Sequence, residues 1–276
     1  MRPYAFVFQC SSFLLMMATL ASCSKLEKDI VLSEPPHERQ LVVECYLEQG
    51  KPYRMALTES VNYLASRELP IINQAQVKIS YDSQTDVLAN INRIDTDNRK
   101  VYNYALDKTV TGDANTPYRL EVTDSKGRKV TGTTRFLSPV TLKDLTWKFN
   151  DKDKAYLTVR FDDPPDTKDY YRFVVNRDSL TGSLETRFNI DDRFTTNNEI
   201  TRGTGYNYED GDTLIVTLYH IEKSYYDFLE SANRAANANG NPFGQPSLVK
   251  STVQGGIGVF TTLVYDRKRI IIKKDK

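Results

Sequence analysis

From Leu41 onward, hydrophobic and polar residues alternate with a period of two. Val43, Cys45 and Leu47 fall on one face, and Val42, Glu44 and Tyr46 on the other. That is the pattern of a strand with one side buried, because successive side chains leave opposite faces of a pleated backbone. The turn residues Gln49-Gly50-Lys51-Pro52 separate it from a second strand over 53–58. Over 76–81, Val77, Ile79 and Tyr81 point inward and Gln76, Lys78 and Ser80 outward. Further short strands fit 87–94, 101–106, 118–123 and 128–133, and Asp124-Ser125-Lys126-Gly127 makes the last two a hairpin. Short strands at this spacing predict an immunoglobulin-like or transthyretin-like β-sandwich over residues 40–137. Cys45 then lies on an inward face, where a thiol acts as a small buried hydrophobe.

Leu137-Ser138-Pro139 reads as a joint, followed over 138–276 by a second β-rich domain carrying one α-helix. Its strands are expected at 141–149, 155–161, 170–177, 185–190 and 213–219. Residues 191–212, rich in Asp, Asn, Thr and Gly, read as a long exposed connection. The helix is predicted over about 222–238 from the stripe Ile221, Tyr225, Phe228, Leu229, Ala232 and Ala236. Ser224 with Asp227 forms a capping-box pattern, and Gly240 and Pro242 end the segment. Asn241-Pro242-Phe243-Gly244-Gln245-Pro246 is loop. Gly255-Gly256-Ile257-Gly258-Val259-Phe260 leads into a last strand, so its glycines suit turning and close packing rather than a phosphate cradle.

The start of the chain follows different rules. Arg2 precedes an apolar stretch to Leu20, then Ala21-Ser22-Cys23. This is the grammar of an export signal over 1–22, too short and too polar in its middle for a membrane span. Leu-Ala-Ser-Cys resembles a bacterial lipobox, in which Cys23 would be acylated, with palmitate-type chains, and become the new N-terminus. Several acyl chains make a stable anchor at about 0.8 kcal/mol per buried methylene. Residues 23–39, with Pro35-Pro36 and no periodicity, read as a tether. The expected location is therefore the outer membrane, lipid-anchored. The mixed run Lys25-Leu26-Glu27-Lys28-Asp29 favours neither the periplasmic nor the cell-surface face.

Loss of Arg2 with the signal turns 37 basic and 36 acidic residues into a balanced chain. Neutrality argues against nucleic acid as a partner, since phosphate binding needs a basic excess. Once Cys10 leaves with the signal and Cys23 is acylated, Cys45 stands alone, and no intrachain disulfide is available.

Enzyme signatures are missing. Only two histidines occur, His37 and His220, and there is no nucleophile elbow, P-loop or dinucleotide fingerprint. No catalytic residue, no metal ligand set and no cofactor is expected. Two aspartate clusters carry the carboxylates that calcium binding or a glycosidase acid pair requires: Asp162-Asp163-Pro164-Pro165-Asp166 with Asp169, and Asp191-Asp192 with Asp210 and Asp212. Asp and Pro are also ordinary turn residues at strand ends, and neither group has ligand spacing. Tyrosines at strand ends offer a better hint of binding. Tyr102, Tyr104, Tyr206 and Tyr208 are the expected ligand contacts, with Tyr170 and Tyr171 as a further pair.

Several stretches together resemble one Bacteroidota lipoprotein family. They are the lipobox, Leu41-Val42-Val43-Glu44, Ala75-Gln76-Val77-Lys78-Ile79, Phe161-Asp162-Asp163-Pro164, Tyr225-Tyr226, and the two C-terminal runs 241–246 and 255–260. In order and spacing they are similar to the family catalogued as domain of unknown function 4249, over essentially the whole mature chain. Ser251-Thr252-Val253 departs from the asparagine-containing approach to the glycine pair that the resemblance leads us to expect. The resemblance implies an outer-membrane lipoprotein with no established activity, often found beside a TonB-dependent receptor. The expected role is accordingly a non-enzymatic accessory or binding component. The alternatives are a free-standing glycan-binding or adhesin lipoprotein and, third, a carboxylate-dependent hydrolase.

Overall fold

The computed structural model describes residues 38–62, 70–95, 100–114, 116–165, 167–194, 198–238 and 247–274. The expected signal, Cys23, nearly all of the tether, Asp166 and the 241–246 loop lie outside the described residues. The elements below all belong to the unit Arg39–Lys276.

In chain order the strands of the first half are β1 (Leu41–Glu48), β2 (Pro52–Glu59), β3 (Ala75–Tyr81), β4 (Gln84–Asp95), β5 (Lys100–Thr109), β6 (Pro117–Asp124) and β7 (Lys129–Arg135). The second half has β8 (Leu142–Phe149), β9 (Ala155–Asp162), β10 (Tyr170–Arg177), β11 (Leu184–Asp191), β12 (Glu199–Gly203) and β13 (Thr213–Ile221). Helix α1 (Lys223–Ala238), β14 (Val253–Gln254) and the long β15 (Ile257–Ile271) follow.

The fold is mainly β, a sandwich followed by a second β-rich half with one α-helix among the described residues. In the first half β1, β2 and β5 face β3, β6 and β7. Strand β4 serves both layers: Val87 and Leu88 pair with β3, whereas Ala89 and Asn90 pair with β5. The alternation read from sequence explains the core, since Val43, Cys45 and Leu47 are fully buried against residues such as Ile79 and Val122. Asn103 repairs the β2–β5 ladder where direct pairing lapses. Its side chain accepts from the Leu57 N–H at 2.7 Å and donates to the carbonyls of Leu57 and Ile72 at 2.9 and 2.8 Å. A buried amide thus stands in for backbone partners.

A second core lies between β10, β11 and β13 on one side and β8, β9 and β12 on the other, built on Leu157, Phe161, Phe173, Val175, Val216 and Leu218. The expected exposed connection over 191–212 is corrected here: it contains β12, which pairs with β9, and both Ile200 and Tyr208 are fully buried. Isolated apolar residues in a polar stretch gave no period to read.

Strand β15 joins the two halves. Its first half runs parallel to β1, with Val43 opposite Gly258, and its second half runs antiparallel to β13, with Tyr219 opposite Tyr265. The chain that follows the expected joint therefore returns to the first half, and twelve strands form one continuous sheet. Gly258 has φ 122°, and a Cβ there would sit 2.0 Å from the Val43 carbonyl oxygen. Close strand approach explains the glycine. Ser251 and Thr252, the departure noted in the sequence, close this corner: the Gly258 N–H donates to Ser251 Oγ at 3.1 Å and the Phe260 N–H to Thr252 Oγ1 at 2.7 Å.

Helix α1 lies across the outer face of this sheet, burying Tyr225 and Leu229 with Tyr170, Ile221 and Val259. The expected capping box is not formed. Asp227 instead pairs with Lys223 at 2.7 Å and Lys250 at 3.4 Å. Ala236 is exposed, so the buried stripe is shorter than the sequence pattern. No helix among the described residues is long and apolar enough to cross a membrane.

Candidate functional site: a tyrosine–arginine groove

The outer face of the sheet is the floor of a groove of about 740 Å³, within the range of small-molecule sites. Period-two geometry places its residues. Leu263, Tyr265 and Arg267 of β15, Tyr219 of β13, Arg172 and Val174 of β10 and Tyr46 of β1 all leave the sheet on the side opposite the two cores. Register lines them up, since Arg172 is opposite Tyr219, which is opposite Tyr265. Tyr225 and Leu229 of α1 form a wall, and Lys51, Arg54, Lys100 and Tyr102 close the far end.

Five tyrosines and five cations line this groove beside a single acidic residue, Glu48. The Glu48 carboxylate is already engaged by the Tyr265 hydroxyl. Rings hold the cations in place: Lys100 Nζ lies 4.5 Å from the Tyr46 centroid, and the Arg267 guanidinium 4.2 Å from the Tyr265 centroid. Arg267 also donates to Thr217 Oγ1 at 3.0 Å. Tyr219 and Tyr265 meet at 5.4 Å with their planes 60° apart. Burial, reinforced by the bond to Glu48, pushes the Tyr265 hydroxyl up to about 12. Burial also raises Tyr46, with Tyr225 adding to it. These phenols stay protonated at neutral pH and can donate. Lys100 pairs with Glu44 at 3.4 Å, whereas Lys51, Arg172 and Arg267 have no acidic partner among the described residues.

The expected contact tyrosines divide. Tyr102 lines the groove, beneath the Arg54 guanidinium at 5.9 Å from its centroid. Tyr206 is exposed on another surface, packed edge-on against Tyr156 at 5.0 Å. Tyr104 and Tyr208 are corrected: both are fully buried, Tyr104 accepting from the Ala75 N–H at 2.9 Å and Tyr208 meeting Thr186 at 3.1 Å. They sit on core-facing positions, as does the buried Tyr171, whereas Tyr170 is buried on the opposite face of β10 beneath α1. The sequence reading missed Tyr46, Tyr219, Tyr265, Arg172 and Arg267 as a set. Their outward positions were legible strand by strand, but their neighbourhood depends on β15 lying beside β1.

The aspartates converge elsewhere. Asp163, Asp169 and Asp192 place carboxylate oxygens within 4.8 Å of one another, an oxygen set that a hard cation such as calcium would accept. Each of the three also has partners within the protein. Tyr171 donates to Asp163 at 2.6 Å, the Asp169 N–H donates to Asp192 at 2.6 Å, and His220 Nε2 lies 3.0 Å from Asp169. His220 Nδ1 donates to the Ser138 carbonyl at 2.7 Å, tying β13 to the expected joint. Both Asp163 and Asp192 are buried, and the oxygens lie closer together than the roughly 5–9.5 Å separation of glycosidase acid pairs. The remaining aspartates of the two sequence groups go to separate partners: Asp162 to Lys143, Asp191 to Arg193 and Asp212 to Arg177. Asp210 accepts from the Lys274 N–H at 2.8 Å.

Burial raises the Asp163 carboxyl above its usual range; the Tyr171 bond opposes this, and the charges of Asp192 and Asp169 add to it. An acid raised by folding favours the folded state as pH falls through that raised value, and counts against it above. Asp163→Asn is therefore expected to be neutral or mildly stabilising at pH 7, with the difference vanishing in acid. Urea denaturation at both pH values checks this. A clear loss at pH 7 would mean that something holds the charge there.

A family model covers residues 27–269, and the chain belongs to this family, described as domain of unknown function (DUF4249). No curated protein matches the sequence. Among solved structures it is similar to the chicken CNTN1 FN1-FN3 domains at 10% identity, covering 84% of this chain and 66% of that one with a TM-score of 0.27. It is also similar to a two-domain fibronectin type-III segment of chicken tenascin at 12% identity, covering 66% and 91% with a TM-score of 0.21.

Proposed function

We propose that this chain is a non-enzymatic binding lipoprotein of the outer membrane, anchored through Cys23, that serves a TonB-dependent receptor as an accessory component. The observation that carries the binding role is the groove: ordered tyrosines and cations, two of them pinned on rings, with little acid to neutralise them. Such a lining supplies contact and charge but no nucleophile paired with a base. An anchor adds effective concentration, because a tethered protein meets a membrane partner by an intramolecular encounter. A free-standing glycan-binding lipoprotein is the second reading, favoured by the same tyrosines.

The test is a mild-detergent pull-down of tagged wild type beside Cys23→Ala. Wild type is expected in the membrane fraction with one stoichiometric outer-membrane receptor, and the variant in the soluble fraction with that partner lost or weakened. Well-extracted wild type that comes down alone would overturn the accessory role and leave the free-standing one. A Cys23→Ala protein that stays in the membrane would remove the anchor.

A further inference from the structure

Resting on the binding role just proposed, we infer that the groove takes an acidic oligosaccharide, one that carries carboxylates at intervals along its chain. Three features of the groove lead there.

The first is length. The floor runs from β10 through β13, β15, β1 and β2 to β5, about 24 Å at the usual 4.8 Å strand spacing. The second is the placement of charge. Arg172 stands on β10 at one end, Arg267 on β15 in the middle, and Arg54 and Lys100 on β2 and β5 toward the other end with Lys51 just before β2, while Tyr219, Tyr265 and Tyr46 are spread between the two ends. Cations at both ends suit a ligand with anionic groups spread along its length rather than a single charged head. The planar fork of Arg matches carboxylate geometry. The third is donor balance. Lys and Arg only donate, the tyrosine hydroxyls donate as well as accept, and Glu48 already accepts from Tyr265. The lining thus offers more donors than acceptors, which calls for a ligand rich in acceptors and poor in obligatory donors.

A peptide fails that requirement. Its backbone N–H groups would need acceptors, and the floor is a sheet face whose own carbonyls are committed to the ladder, with no free edge to extend. Single-stranded nucleic acid needs open ring faces on which bases stack. Here Tyr219 and Tyr265 lie against each other at an angle, as do Tyr46 and Tyr225 at 6.1 Å and 68°. A sugar asks for less, since its hydroxyls can meet phenol and guanidinium without an open ring face on which to stack. Uronic acid units supply the repeated carboxylate.

The probe is a short oligogalacturonate, titrated calorimetrically into the full-length protein in mild detergent. Its methyl ester, a polyglutamate peptide and an oligothymidylate are the comparison ligands. Saturable binding of the oligogalacturonate, weakened at high salt and lost with the ester, is expected. Arg172→Gln and Lys51→Gln should each weaken binding about tenfold, or roughly 1.4 kcal/mol. Arg119→Gln, on the outer surface of β6, should leave it unchanged. Lys51 is exposed in a turn, so its substitution tests the groove even if Arg172→Gln perturbs folding.

Equal affinity for the ester overturns the role of charge. Tighter binding of the peptide or the oligothymidylate overturns the sugar assignment and gives the groove to that class. No binding of oligogalacturonate alongside an intact receptor pull-down removes the ligand class and leaves the accessory role standing.

Discussion

Gly258→Val is expected to destabilise the protein by about 4 kcal/mol, which lowers the thermal midpoint of a domain this size by about 10 °C. The cause is geometric. Gly258 has φ 122°, and a Cβ would lie 2.0 Å from the Val43 carbonyl oxygen and 2.9 Å from the Val43 nitrogen. The obstacle is the backbone of β1 itself, which cannot give way without breaking its pairing with β15 and β2. A side chain there separates the strand that connects the two halves. Gly50→Ala is the matched control: it also has positive φ, at 80°, but nothing lies within 4 Å of a Cβ. Only the left-handed strain remains there, about 1 kcal/mol. Urea denaturation of both variants separates the two causes. If Gly258→Val unfolds like Gly50→Ala, the parallel contact between β1 and β15 is wrong. Because β15 also carries Tyr265 and Arg267, the variant should lose ligand binding together with stability.

The Gly258 contact shows where sequence reading stops. Period two sufficed to place β1 through β11, the inward faces of Val43, Cys45, Val77 and Ile79, and the hairpin at Asp124–Gly127, because each depends on neighbours in the chain. The glycines at 255, 256 and 258 were legible as sites of close approach, but not what approaches them. The pairing of Val43 with Gly258 spans most of the chain, and nothing local encodes it. The groove inherits that blindness. Tyr46 and Tyr265 were each readable as outward residues of a strand, yet only the long crossover puts them on one floor. Choosing tyrosines by their nearness to loops selected Tyr104 and Tyr208, which the structure buries, beside Tyr102 and Tyr206, which it leaves accessible; each pair is two residues apart, so alternation alone does not separate them. The aspartates show the converse. Two groups distant in sequence were each noticed, and the β10–β11 hairpin, with Tyr170 opposite Asp191, brings members of both together.

Arg128→Met should cost about 3 kcal/mol at neutral pH, because it removes the guanidinium shared by two buried carboxylates. Arg128 Nη1 donates to Glu59 at 2.8 Å, and Nε donates to Asp124 at 2.8 Å. The side chains of Glu59 and Asp124 are only 5% and 2% exposed. Methionine keeps the apolar stem, so the loss reports the charge and its bonds. Hydrogen bonds from Arg128 and then Arg39 hold Glu59 below its usual range. At Asp124 burial pulls upward, but the bonds and charge of Arg128 outweigh it and the net shift is downward. An acid lowered by folding stabilises the protein above its unfolded value, 4.5 for Glu59 and 3.8 for Asp124, and that stability is lost as pH falls through the lowered folded values. Wild type should therefore lose stability in acid faster than Arg128→Met, and the gap between them should close. Arg128→Lys should fall between the two, since an ammonium carries the charge but lacks the fork that reaches both carboxylates. Urea midpoints measured from neutral pH down to about pH 3, below both unfolded values, decide the matter. A gap that stays constant with pH would mean that Arg128 acts through packing alone and that Glu59 and Asp124 find other partners when it is gone.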